Sequence, residues 1–348
     1  MAGDAEVLCE RRGAAGLVTL NRPQALNAIT HGMVLELRRA LDAWAADPEV
    51  TRIVVTAAGE RAFSAGGDIR HLYDLGTAGR YEEALRFWRD EYALNIRIKR
   101  YPKPYISLID GIVMGGGVGV SLHGSHRVAG ERYQFAMPEV GIGFFPDVGA
   151  THALPRLPGK TGAFIALTGE RVRTADALAF GLATHAVRSP VLAELREALT
   201  AGEPVEETLA RLSHDPGPTP LAAERETIDR CFAGESVTAI LASLDSDASD
   251  FGRKTAATIR AKSPTSLVVA LEQMRRGRDL SFENAMRTEF RIVSRIIEGH
   301  DFYEGVRAAI IDKDGAPRWR PASLEEVDAP AAIAHHFAEL GRAELELP

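Results

Sequence analysis

YISLIDGIVMGGGVGV, Tyr105–Val120, decides the fold, because it packs a β-rich apolar run, a sharp turn at Gly111 and a triple glycine into one short unit. An unbroken run such as Tyr105–Asp110 suits a strand buried on both faces, and glycine after it gives the chain a turn and room for close approach. RIVVTAAGERAFSAGGD, Arg52–Asp68, repeats the design: a strand at Arg52–Ala57, then a loop through SAGGD that opens a helix. LVTL (Leu17–Leu20) and HRVAG (His126–Gly130) add further strands. Between them, Thr30 is placed to cap a helix whose apolar stripe is Met33, Leu37, Leu41 and Trp44, ending before Pro48. A long polar helix is expected over Tyr81–Arg100. Strand, glycine turn and helix alternate, which predicts an α/β fold.

Beyond about Pro190 the texture changes. No convincing strand remains, and helical segments are separated by HDPGPTP (His214–Pro220), SDASD (Ser246–Asp250) and KSPTS (Lys262–Ser266). The expected organisation is a catalytic core over residues 1–189 and an α-helical region over residues 190–348 packed on it, with no flexible Gly/Ser linker between them. The length of 348 residues suits two domains, and 45% hydrophobic with 26% charged residues excludes a disordered chain.

Charge and termini narrow the partners. With 41 Lys plus Arg against 48 Asp plus Glu, a formal charge of −7 argues against a nucleic-acid partner, which needs clustered cations. The start, MAGDAEVLCERRG, carries acids where a secretory signal has a basic flank and an apolar run, and Gly111–Leu122 is too short to span a bilayer. No membrane association is expected, and the chain reads as cytoplasmic. Cys9 and Cys231 have no partner spacing and read as structural.

Several motifs come close and fail. MGGGVGV has Val120 or Leu122 where the dinucleotide fingerprint needs its last glycine. GKT at Gly159–Thr161 has Leu154 where a P-loop needs glycine. DKDG (Asp312–Gly315) lacks the third acid of a calcium loop, His123 and His126 lack further ligands, and AFSAG (Ala62–Gly66) is one residue short of a nucleophile elbow. No metal site is expected.

What remains is two glycine-rich turns and an acid pair. Backbone N–H groups at a helix start are unsatisfied donors, so SAGGD and MGGGVG facing each other would form an oxyanion hole; close strand-to-helix packing is the structural alternative. MPEVGIGFFPDVGA (Met137–Ala150) places Glu139 and Asp147 among Val140, Ile142, Phe144, Phe145 and Val148 in a stretch otherwise nearly without charge. Carboxyls bordering an apolar pocket have raised pKa values that suit acid–base work. The alternative is a helix-start Glu after Pro138 and a turn Asp after Pro146.

These stretches carry a resemblance. AFSAGGDI, DGIVMGGGVGV and FAMPEVGIGFFPDVGA resemble the three signature blocks of the crotonase (enoyl-CoA hydratase/isomerase) superfamily, and LNRPQALNAIT resembles its N-terminal block. Within it, DEYALN (Asp90–Asn95), SLHGSHRVAGE (Ser121–Glu131), FFPDVGA and the tail EGVRAAIIDKDGAPRWRP (Glu304–Pro321) are similar to the 3-hydroxyisobutyryl-CoA hydrolases, thioesterases of valine catabolism. The similarity runs from about Glu6 to Val327 and is weakest over Ser189–Ser249.

The resemblance implies a crotonase-like spiral of repeated strand-turn-helix units. It implies oxyanion-hole amides at Gly67 and Gly116, a substrate-contacting Glu91, and a catalytic pair at Glu139 and Asp147. Ala65 and Gly66 join the substrate contacts, and Arg22 is the candidate for the coenzyme A phosphates. Coenzyme A belongs to the substrate, so no separate cofactor is implied. Hydratases carry a second, water-holding glutamate where this chain has Gly119, which argues for hydrolysis over hydration. Glu139 is either a general base or a nucleophile, Glu91 on residues alone is equally a solvated helix position, and the resemblance leaves both the acyl chain and a homo-oligomer open.

Overall fold

The computed structural model describes residues 5–347. The chain forms two compact units, each assembled from three segments and each drawing residues from both sides of position 189.

The first unit takes the chain up to Asp68, Asp90–Phe135 and Arg171–Ala222. Its main sheet opens with a hairpin, β1 (Val7–Arg12) and β2 (Ala15–Leu20), antiparallel with Val7 opposite Leu20 and Arg12 opposite Ala15. β3 (Arg52–Ala57) pairs parallel with β2. β4 (Ala62–Ser64) leaves for a second sheet, while β5 (Tyr105–Ile109) returns to lie parallel with β3. β6 (Ile112–Met114) pairs parallel with β4, β7 (His126–Ala129) parallel with β5, and β8 (Gln134–Ala136) antiparallel with β9 (Val172–Arg173). With β10 (His185–Ala186) on β7, the sheets run β1-β2-β3-β5-β7-β10 and β4-β6-β8-β9.

The predicted strands are all present. β1, β4, β6, β8, β9 and β10 were not foreseen; for all but β1, two or three residues are too few to show a period of two. Val, Ile and Leu fill β3 and β5 without alternation because both sheet faces are covered. On one face Leu195, Leu199 and Leu209, from the helices Leu192–Ala201 and Val205–Leu212, meet Leu17, Val54, Ile106, Leu108 and Val128. α1 (His31–Ala46) packs against the hairpin with Met33, Leu37, Leu41 and Trp44 buried, and Thr30 caps it by accepting a hydrogen bond from the Met33 amide.

The second unit takes Ile69–Arg89, Ala136–Glu170 and the chain from Ala223 onward. α2 (Ile69–Thr77) follows SAGGD as expected, and α3 (Tyr81–Lys99), whose residues from Asp90 on belong to the first unit, occupies the predicted long-helix span. Trp88, Phe144 and Phe302 form an aromatic cluster with ring centroids 5.5–6.4 Å apart. Among the described residues, all regular elements after Ser189 are helices, and no helix is long and apolar enough to cross a membrane.

Candidate active site

In the first unit, the N-terminal block and SAGGD are knitted together by local chemistry. Asn27, in the left-handed region at φ 54°, donates to the Ala58 and Ala62 carbonyls at 2.9 Å and accepts from the Arg22 amide at 2.8 Å. Arg22 then spends its guanidinium inside the unit, on Glu6 at 2.9 Å, Asp68 at 3.2 Å and the Ala28 carbonyl at 2.8 Å. Its place is that of a brace for the turn.

The turn's amides divide. Ala65 donates to the Leu26 carbonyl, Gly66 makes a long bond to Ser64 Oγ, and Asp68 donates to the Ile29 carbonyl. Gly67 N–H meets no acceptor among the described residues. β6 lies between the Gly111 turn and the triple glycine, which ends in the one-turn α4 (Gly116–Gly119), whose first amide, Gly116 N–H, also meets no acceptor among them.

The three glycines have separate jobs. Gly115 bends the chain at φ 43°. A Cβ on Gly117 would lie 2.6 Å from the Ser64 carbonyl oxygen, so that glycine serves packing. A Cβ on Gly116 would lie 2.7 Å from Glu91 Oε1 and 3.2 Å from Gly67 N. Gly67 N and Glu91 Oε1 thus border the space that a side chain on Gly116 would fill. Glu91 is 2% exposed, which rejects the solvated-helix alternative. Gly119 is buried and its N–H is spent on the Gly115 carbonyl.

In the second unit, Glu139 opens a short 3-10 turn, Glu139–Ile142, and is 6% exposed; Asp147 is 4% exposed. Of the apolar residues expected to surround them, Val140, Phe144, Phe145 and Val148 are buried, while Ile142 is only partly so. Burial, and then the charge of Asp147, push the Glu139 carboxyl well above the ordinary carboxylate range. Its Oε2 finds no hydrogen-bond partner among the described residues.

The near-miss motifs have structural occupations. Asp312 and Asp314 of DKDG both accept from Arg307 at 2.7 Å. His126 bonds to Ser125 at 2.8 Å and Glu206 at 2.9 Å. Cys9 and Cys231 are free thiols.

The enoyl-CoA hydratase/isomerase family model matches residues 15–337. The chain belongs to this family. Among curated relatives, it is 44% identical to the mitochondrial 3-hydroxyisobutyryl-CoA hydrolase of Gallus gallus, over 99% of this chain and 91% of that protein. It is 42% identical to that of Homo sapiens, over 98% and 90%. Among solved structures, a carnitinyl-CoA dehydratase from Mycobacterium thermoresistibile shares 44% identity with a TM-score of 0.94, covering 99% of both chains. An enoyl-CoA hydratase from Rhodobacter sphaeroides 2.4.1 shares 41% with a TM-score of 0.93, over 99% of this chain and 100% of that one.

Family blocks and composition did not point to Glu289 or Gln273. Both are completely buried, on the helices Phe282–Ile296 and Pro264–Gly277, and both reach the Asp147 loop. The available signal was weak: a glutamate and a glutamine each on the apolar side of an amphipathic helix. Asn95, one turn after Glu91 on α3, was also missed; neither its Nδ2 nor its Oδ1 has a partner among the described residues.

Proposed function

We propose that this chain hydrolyses a short β-hydroxyacyl-CoA thioester, with 3-hydroxyisobutyryl-CoA the preferred substrate, releasing 3-hydroxyisobutyrate and CoA as a step of valine catabolism. The observation that carries this reading is the gap at Gly116, where two open amides lie beside Glu91 Oε1. Amides there suit a thioester carbonyl, and a buried carboxylate suits a hydroxyl placed two carbons away. Identity of 42–44% to curated hydrolases of that name supports the same substrate.

In the proposed mechanism, Gly67 and Gly116 N–H groups stabilise negative charge developing on the thioester oxygen through fixed dipoles. Glu139 activates water as a general base, or attacks the carbonyl itself to give an anhydride that water then opens. Asp147 orients the water and delivers a proton to the departing CoA thiolate or to Glu139. Glu91 accepts a hydrogen bond from the β-hydroxyl. Ala65 and Gly66 shape the wall on the amide side, with the phosphate end of CoA running past the first sequence block. The reaction needs no metal in this scheme, so chelator should leave the rate unchanged. Cytoplasmic residence belongs to the same proposal and is checked by cell fractionation.

The two solved relatives named as a dehydratase and a hydratase favour a second reading, hydration of an enoyl-CoA on the same scaffold. Gly119 speaks against it, since the second carboxyl of hydratases is missing there. The experiment is thiol release across a panel of acyl-CoAs. Crotonyl-CoA hydration outpacing every thioester cleavage would establish the second reading. Tight acyl-CoA binding with no turnover would make the chain a non-catalytic binder.

A further inference from the structure

The stretch Pro146–Thr151, PDVGAT, is bent in a way its residues resist. Val148 lies at φ 53° and Gly149 at φ 92°, so two consecutive left-handed residues follow Asp147. A β-branched side chain is among the worst occupants of that region, and such strain persists only where surrounding structure imposes it.

The imposing structure is a closed ring of buried hydrogen bonds. Gln273 Nε2 donates to the Pro146 carbonyl and, at 2.6 Å, to Thr151 Oγ1. Thr151 links the two helices' contributions, its hydroxyl accepting from Gln273 and its amide donating to Glu289. Glu289 accepts the Gly149 amide at 2.8 Å on one oxygen and the Thr151 amide at 2.9 Å on the other. The ring grips the backbone immediately before and after Asp147–Val148. Two separate acceptor oxygens on one planar group are what a carboxyl offers; a glutamine supplies only one.

We propose that Glu289 is a positioning residue for Asp147, acting with Gln273 and Thr151 to impose the left-handed turn that fixes where the Asp147 carboxyl points. This rests on the reading of Asp147 as a catalytic group. Electrostatics supports the coupling: burial first, and the Asp147 charge second, push Glu289 up to about 8, against the amide bonds that pull it down.

The test uses the full chain with 3-hydroxyisobutyryl-CoA. Glu289→Gln and Thr151→Val are measured for kcat, KM and Tm in the wild-type and Asp147→Asn backgrounds, with Thr151→Ser as the conservative control. In the wild-type background, Glu289→Gln should lower kcat by roughly 10- to 100-fold with KM nearly unchanged, the signature of an interaction that matters in the transition state. Thr151→Val, which keeps the volume but cuts the ring, should lower kcat by about 10-fold, and Thr151→Ser should recover most of that loss. In the Asp147→Asn background, Glu289→Gln should cost less than about 2-fold more, since residues acting as a unit are non-additive. Full additivity there, or a folded Glu289→Gln enzyme with normal kcat, overturns the positioning role. Should Glu289→Gln not fold, the Thr151 pair decides alone, and equal kcat for Thr151→Val and Thr151→Ser overturns it. Normal turnover by Asp147→Asn instead removes Asp147 from the mechanism, and the positioning role with it.

Discussion

The glycine turns of the first unit and the carboxylate loop of the second solve opposite problems. In the proposed mechanism the working groups at Gly67 and Gly116 are backbone amides, and what the sequence supplies is emptiness, since a side chain on Gly116 would fill the gap. At Glu139 and Asp147 the proposed working groups are side chains, and what the fold supplies is enclosure, by burial and by a ring reaching in from Glu289 and Gln273. Amides carry no titrating charge. Carboxyls respond to pH and to residues more than a hundred positions away. The two halves should therefore fail differently when disturbed.

The largest effect belongs to the acids. Glu139→Gln and Asp147→Asn should each lower kcat by roughly 10²- to 10⁴-fold, the range for groups acting in proton transfer, with the thermal transition retained. Steady-state kinetics beside calorimetry checks this. Near-normal turnover in either variant would return that residue to a turn-capping role.

Next come two neighbouring glycines that separate site from scaffold. Gly116→Ala puts a methyl 2.7 Å from Glu91 Oε1, the end of a side chain, and 3.2 Å from Gly67 N, so it should fold yet lose about 10²- to 10³-fold in kcat/KM as the oxyanion gap closes. Gly117→Ala collides with the Ser64 backbone at 2.6 Å, where nothing flexible can yield, so its loss should appear in soluble yield and Tm. If Gly117→Ala stays folded and Gly116→Ala stays active, the division of labour within the triple glycine is wrong.

That division explains what was legible in the sequence. The β3 and β5 runs, the Thr30 cap and the glycine turns each depend on neighbours a few residues away, so local propensity sufficed to read them. Glu91, Glu139 and Asp147 were singled out by their odd surroundings and by resemblance, and the structure buries all three. Glu289 escaped because nothing in TEFRI distinguishes a buried acid from one on a polar helix face; only tertiary packing does. Arg22 was read for its charge, while its position beside Glu6 and Asp68 commits that charge to bracing.

A smaller effect tests whether Glu91 reads the β-hydroxyl. A site built around such a bond rejects an analogue that leaves the acceptor unpaired. Glu91→Ala should therefore lower kcat/KM more for 3-hydroxyisobutyryl-CoA than for isobutyryl-CoA, narrowing the preference by roughly 1–3 kcal/mol. Equal losses on both substrates would show that Glu91 does not sense the hydroxyl.

The smallest effect, in stability, distinguishes the titrating half from the amide half. Glu289 is raised from an ordinary value of 4.5 to about 8, chiefly by burial, and Glu139 is raised in the same sense. The folded chain thus holds these protons more tightly than the unfolded chain. Their contribution is fully present below about pH 4.5 and, for Glu289, is lost as pH climbs toward 8, because the buried site must then either hold a proton that the unfolded state has released or carry a charge. Glu289→Gln removes that dependence while sacrificing one amide acceptor at every pH. The variant should therefore melt below wild type at pH 5, and the gap should narrow by at least about 2 °C by pH 9. A Glu289→Gln gap that stays constant between pH 5 and 9 would mean that the acid titrates as an exposed one does, and the enclosed character of the carboxylate loop would fall with it.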